Sequence, residues 1–121
     1  MFAPINVVCA QDAGVTALLG SAPLRLYPFG DAPQDGQKLY AVWQTVGGSP
    51  ENYLAGRPDV DAYRLQVDVY AATGPSARAV AKAIRDAIEL HANITRWGGD
   101  SRDPATKNYR YSFDVSWLVT R

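Results

Sequence analysis

The stretch YAVWQTVGGSPENYLAGRPDVDAYRLQVDVY, residues 40–70, decides the fold. Its second half alternates, with Tyr63, Leu65, Val67 and Val69 on one side of an extended chain and Arg64, Gln66 and Asp68 on the other. That period of two predicts a half-buried antiparallel strand over residues 62–71. Its first half belongs to a run, residues 39–46, whose Val, Trp and Tyr content also predicts a strand. Both sides of that run carry large residues, Tyr40 and Val42 on one and Leu39 and Trp43 on the other, so alternation leaves its inward face unassigned. Between the two runs lies a polar loop of about sixteen residues, 47–62, against the usual about two to five of a hairpin. A loop of that length points to internal order or an outside partner. Its aromatic-aliphatic pair, Tyr53 and Leu54, then becomes a candidate for contact with another molecule.

Working outward toward the C-terminus, Thr73-Gly74-Pro75 reads as a helix start, with Thr73 or Gly74 as cap and Pro75 where a missing N–H costs nothing. The helix is expected over residues 76–92, about 25 Å long at about 1.5 Å per residue. Ala77, Val80, Ala81, Ile84, Ala87 and Ile88 form its apolar stripe. Lys82 with Asp86 and Arg85 with Glu89 are spaced as i,i+4 pairs on the wet side, each worth about 0.2–0.5 kcal/mol. Residues 93–97 read as a strand and residues 98–104, GGDSRDP, as turn material. In the last strand Tyr109, Tyr111, Phe113, Val115, Trp117 and Val119 share one face, which makes it the expected centre of the core.

Toward the N-terminus, Pro4 suits a first helical turn, and Ile5, Val8 and Cys9 recur at helical spacing. Gly14 weakens the continuation, so two short helical pieces are expected, the second capped by Asp12 and stopped by Gly20. A short strand over residues 24–27 follows, then an irregular region kept so by Pro28, Pro33 and Gly36. The order α, β, β, β, α, β, β predicts an α+β fold, an antiparallel β-sheet with helices packed on one face. No strand-helix-strand series repeats as a doubly wound fold requires.

Composition narrows the function classes. At 121 residues the chain is expected to be a single domain, residues 1–121. Twelve basic residues balance twelve acidic ones, so no global field draws nucleic acid or an anionic membrane. No apolar run reaches the length of a membrane span, and MFAPINVVCAQDAG lacks the basic start and long apolar centre of a signal peptide, so a cytoplasmic setting without membrane is expected. Cys9, the one cysteine, sits among Val7, Val8 and Ala10 and reads as a small core residue.

Nothing in the chain assembles into a catalytic constellation. His91, the one histidine, lies just beyond Ala87 and Ile88, where the helix end favours its partial charge and the sheet edge its ring. Asp59 with Asp61, and Asp100 with Asp103, lack the spacing of a calcium loop, and no zinc spacing exists. Gly47-Gly48 and Gly98-Gly99 neither open a helix nor precede Lys-Ser/Thr, so hairpin turns explain them better than a phosphate site. Tyr109-Arg110-Tyr111 resembles a stacking platform, but both tyrosines share the face of Phe113 and Trp117 and are expected in the core. No cofactor, metal or enzymatic role is expected. What remains is the loop pair, residues 47–62 and 98–107, whose Arg, Asp, Pro and aromatic content suits a protein neighbour. The candidate interface residues are Tyr53, Leu54, Arg57, Asp59, Trp97, Arg102 and Asp103.

The run VWQTVGGSPENYLAGRPDVDAYRLQVDVYA, with APINVVCAQDAGVTALLG before it and ARAVAKAIRDAIE and RDPATKNYRYSFDVSWLV after it, resembles the tail completion (tail terminator) proteins of long-tailed phages and prophages. The resemblance implies an α+β structural virion protein that forms a hexameric ring on the finished tail tube, stops tube polymerisation and offers a surface to the head–tail connector. It implies a place at the head-proximal end of the tail, assembly in the host cytoplasm, and DNA passing through the ring without specific binding. It carries no catalytic residue. Two other readings fit the same element order: a small-ligand or regulatory binding module of ferredoxin-like type, and a joining protein on the connector side.

Overall fold

The computed structural model describes residues 3–33, 39–50, 60–102, 104 and 107–120. Three helices, α1 (Ile5–Ala10), α2 (Ala13–Leu19) and α3 (Gly74–Ile88), accompany five strands, β1 (Leu26–Pro28), β2 (Tyr40–Pro50), β3 (Val60–Ala71), β4 (Asn93–Arg102) and β5 (Tyr109–Thr120). The strands form one sheet in the order β1-β2-β3-β5-β4, antiparallel except for the short parallel β1–β2 pair. The fold is α+β, as the element order predicts.

The core follows from the alternation. Leu65, Val67 and Val69 of β3 and Phe113, Val115 and Trp117 of β5 are buried on the face that meets the helices. Register places them side by side, Val67 opposite Phe113 and Leu65 opposite Val115. The inward face of β2, which alternation left unassigned, belongs to Ala41 and Trp43. Size does not choose the face; partners do. Trp43 Nε1 donates to Asn6 Oδ1 at 2.6 Å while Asn6 Nδ2 donates to the Leu26 carbonyl at 2.8 Å, so one amide fastens α1 to β1 and β2. Arg25 makes a second tie, donating to the Leu18 and Leu39 carbonyls at 2.9 Å each.

Helix ends obey local chemistry. The Asp12 carboxylate accepts from the Val15 N–H at 3.0 Å, and Thr73 Oγ1 accepts from the Ser76 N–H at 3.2 Å, so both expected caps form. From α3, Ala77, Val80, Ala81, Ile84, Ala87 and Ile88 are buried; the small residues among them let the helix sit close to the sheet. Cys9 is fully buried, and burial first, then the nearby Asp12 charge, pushes its thiol up from 9.0 to about 12.

Several expected boundaries move. α3 ends at Ile88, not residue 92, because the His91 and Ala92 N–H groups both turn back to the Ile88 carbonyl at 2.8 Å, which leaves His91 exposed in a turn rather than packed on the sheet edge. Residues 98–102 are strand, not turn, and β1 runs Leu26–Pro28. The long loop shortens from both sides, since Gly47 to Pro50 pair with β3 and Val60 already pairs with Thr120. The helix pairing also differs: Asp86 takes its neighbour Arg85 at 2.9 Å, and Arg78 reaches Asp100 of β4 at 3.5 Å, exposed pairs worth about 0–1 kcal/mol.

Candidate functional site

With helices confined to one face, the other face of the sheet is bare among the described residues, and its side chains follow from the same alternation that built the core. Register sets them in rows. Tyr40, Tyr70, Arg110 and Ser101 form one row; Val42, Asp68, Ser112 and Gly99 the next; Gln44, Gln66, Asp114 and Arg96 the third. Polar, aromatic and charged groups therefore share one surface. Tyr40 stacks on Tyr70 at 5.1 Å between ring centroids, and Tyr27 leans on Tyr40 at 6.3 Å, so β1, β2 and β3 carry a continuous tyrosine ladder.

Asp68 is the odd member of this surface. It is only 9% exposed although no described helix covers it, because its carboxylate accepts from the Ser112 hydroxyl and from Gln66 Nε2 at 3.3 Å. Two neutral donors satisfy a nearly buried acid, which fixes the middle of the bare face. Beside it, Arg96 pairs with Asp114 at 3.7 Å. Arg110 and Arg64 are exposed and have no ion-pair or hydrogen-bond partner among the described residues. Arg110 separates two clefts, one of ≈ 360 Å³ bounded by Tyr70 and Arg102 and one of ≈ 280 Å³ bounded by Val46, Gln66, Arg96 and Ser112.

The edge strand β4 is irregular where it bounds these clefts. Its register with β5 shifts between Ile94 and Arg96 and again between Trp97 and Gly99. Gly99 at φ 87° takes the second bulge, and Gly98 lies so near β5 that a Cβ would stand 3.1 Å from the Ser112 carbonyl oxygen. Gly47 and Gly48 play the same part in β2, where the register slips between Thr45 and Gly47 and a Cβ on Gly48 would meet the Ala62 carbonyl oxygen at 2.8 Å. Both glycine pairs thus serve bulged strands and not hairpin turns.

Of the candidate interface residues, Trp97 and Arg102 are described, and they stand apart. Trp97 is 45% exposed, tilted against Phe113 at 5.4 Å and edge-on to Tyr111 at 6.0 Å, in a cleft of ≈ 360 Å³ shared with Arg78, Lys82 and Arg85 of α3. Arg102 ends β4 with its guanidinium 5.1 Å above the Tyr109 ring and its Nε donating to the Lys107 carbonyl at 3.4 Å. Tyr53, Leu54, Arg57, Asp59 and Asp103 lie outside the described residues. The tyrosine ladder and Asp68 were not singled out from sequence, and Arg110 entered there only within the Tyr109-Arg110-Tyr111 stacking platform. The signal was present in the polar halves of β3 and β5, but only the strand order brings those halves together.

Among the described residues no group of three or more His, Cys, Asp or Glu side chains is placed to hold a metal, and no helix is long and apolar enough to cross a membrane. What the arrangement offers is a protein contact surface, with Tyr and Arg side chains over a rigid sheet.

The sequence matches the family model for tail completion protein gp17 over residues 3–120. The chain belongs to that family. It is thus a structural protein of the phage tail and of virion assembly, of a kind that is typically not enzymatic. No curated protein matches the chain. Among solved structures, a chain of the virion of a native gene transfer agent (GTA) particle shares the fold, with a TM-score of 0.73 and 17% identity over 97% of this chain and 92% of that one.

Proposed function

We propose that this tail completion protein, folded as one domain over residues 1–121, caps the finished tail tube as a hexameric ring, stops tube polymerisation and forms the tail side of the head–tail joint. The observation that carries the reading is the family match across nearly the whole described chain, residues 3–120. The bare, tyrosine- and arginine-bearing sheet face supports it, since such side chains on an open sheet suit contact with protein neighbours. The fold shared with a chain of a gene transfer agent virion supports a place in the virion, here the head-proximal end of the tail, after assembly in the host cytoplasm. Partners in this reading are further copies of the chain, the tail tube protein and the head–tail connector.

A ring explains how modest surfaces suffice. Linked contacts act together, so each subunit needs only a weak hold on the tube. Balanced charge, twelve basic against twelve acidic residues, suits a bore through which DNA slides without specific binding. The test is to mix the purified protein with its tail tube protein and count copies at tube ends by electron microscopy, together with tube length. Capped ends carrying a hexamer and tubes that cease to grow are expected; tubes that elongate unchanged would reject the reading.

A further inference from the structure

The turn that closes α3 and the bare face of the sheet complement each other. Leu90 is 86% exposed, more than Phe29 at 73% and Trp97 at 45%, and it stands on a turn held tightly by the paired hydrogen bonds to the Ile88 carbonyl. Beside it Glu89 carries a carboxylate with no ion-pair or hydrogen-bond partner among the described residues. The result is an acidic-apolar knob at the C-terminal end of α3. The bare face holds the converse: Arg110, a cation with no partner among the described residues, at the rim of the ≈ 280 Å³ cleft, and Val46, 51% exposed, on its wall. Arg96, the other cation there, is engaged by Asp114.

We infer that the α3 knob of one copy docks into the bare-face cleft of the next, Glu89 meeting Arg110 and Leu90 seated against Val46. The inference rests on the ring reading above and names the contact that links ring neighbours. An exposed ion pair alone contributes little; here it sets register in a cleft lined mainly by polar groups such as Gln66, Ser112 and Asp114, while Leu90 against Val46 adds the apolar contact. Knob and cleft are different patches on opposite sides of the sheet, so the contact is head-to-tail. Each copy keeps one patch of each kind free until the chain of contacts closes on itself.

Charge reversal tests it in the full protein, by light scattering alone and after mixing with tail tube protein. Glu89→Arg and Arg110→Glu each weaken association by about tenfold or more, and the double variant recovers it to within about threefold of the native protein. Both side chains are exposed, and an unchanged circular dichroism spectrum checks that the variants fold. Native assembly that neither reversal disturbs, or disturbance that the double reversal does not repair, overturns this contact and leaves the ring standing. No assembly by the native protein, even with the tube, overturns the ring and this contact with it. A second measurement uses a short bis-maleimide on Glu89→Cys mixed with Arg110→Cys; Cys9 is buried and stays silent. Cross-linked dimer from the mixture but from neither variant alone supports head-to-tail docking, and its absence in an assembled sample refutes it.

Discussion

The two faces of β3 and β5 are built from alternate residues of the same strands yet do opposite work. On one, Leu65, Val67, Val69, Phe113, Val115 and Trp117 are buried on the face that meets the helices, and the surface is chemically uniform. On the other, Gln66, Asp68, Tyr70, Arg110, Ser112 and Asp114 face away from every described helix, and the surface is varied. The difference separates residues that hold the fold from residues that leave a surface open. The covered face spends its free energy on burial within the chain. The bare face is organised by the tyrosine stack and the Asp68 network and is left open among the described residues.

The sharpest way to break this division is to cut the covered face. Phe113→Ala is expected to lower stability by about 3–5 kcal/mol, measured by urea unfolding, because a fully buried ring leaves a cavity between β3, β4 and α3. Alkaline pH probes the same side more gently. The folded Cys9 thiol lies at about 12 against 9.0 when unfolded, so the folded state holds its proton longer. Its contribution is fully present below 9.0 and is lost as pH rises toward about 12, with a slope of at most about 1.4 kcal/mol per pH unit. Stability curves of the native protein and Cys9→Ala should converge over that window; parallel curves would contradict it.

Asp68 sits where the two faces meet in character, and its removal sharpens the comparison. Asp68→Ala strips the acceptor from Ser112 and Gln66 and should cost about 1–3 kcal/mol by thermal or urea unfolding, though it lies on the bare face. Tyr70→Ala, which ends the stack on Tyr40, should cost about 0.5–1.5 kcal/mol beyond lost area. The smallest effect on stability is expected at Arg110→Ala, within about 0.5 kcal/mol, while association of copies falls. A fold loss at Arg110 equal to that at Phe113 would erase the distinction between the faces.

Much of this division can be read in the sequence, for physical reasons tied to particular residues. Period-two runs in β3 and β5 and the stripe of α3 are local patterns, so strand, helix and core positions follow from them directly. Asp12 and Thr73 cap because their side-chain oxygens serve N–H groups three residues on. Two of the misreadings concern glycine. Gly47-Gly48 and Gly98-Gly99 look like turns in isolation, and only cross-strand approach, the Ala62 and Ser112 carbonyls beside them, shows them to be bulged strand. The orientation of β2 likewise depended on Asn6, 37 residues away from Trp43. The candidate surface depends most on long-range order: Tyr27, Tyr40 and Tyr70 are distant in sequence and become a ladder only through the strand order β1-β2-β3. Trp97 and Arg102 were legible as exposed aromatic and cation, but not that they occupy separate clefts.

The most direct test of the whole account is the mass of the purified protein by light scattering, alone and mixed with its tail tube protein. The account predicts a hexamer's mass, either free or as capped tube ends that no longer elongate. A strict monomer of 13.1 kDa that leaves the tube unbound and still growing would contradict it.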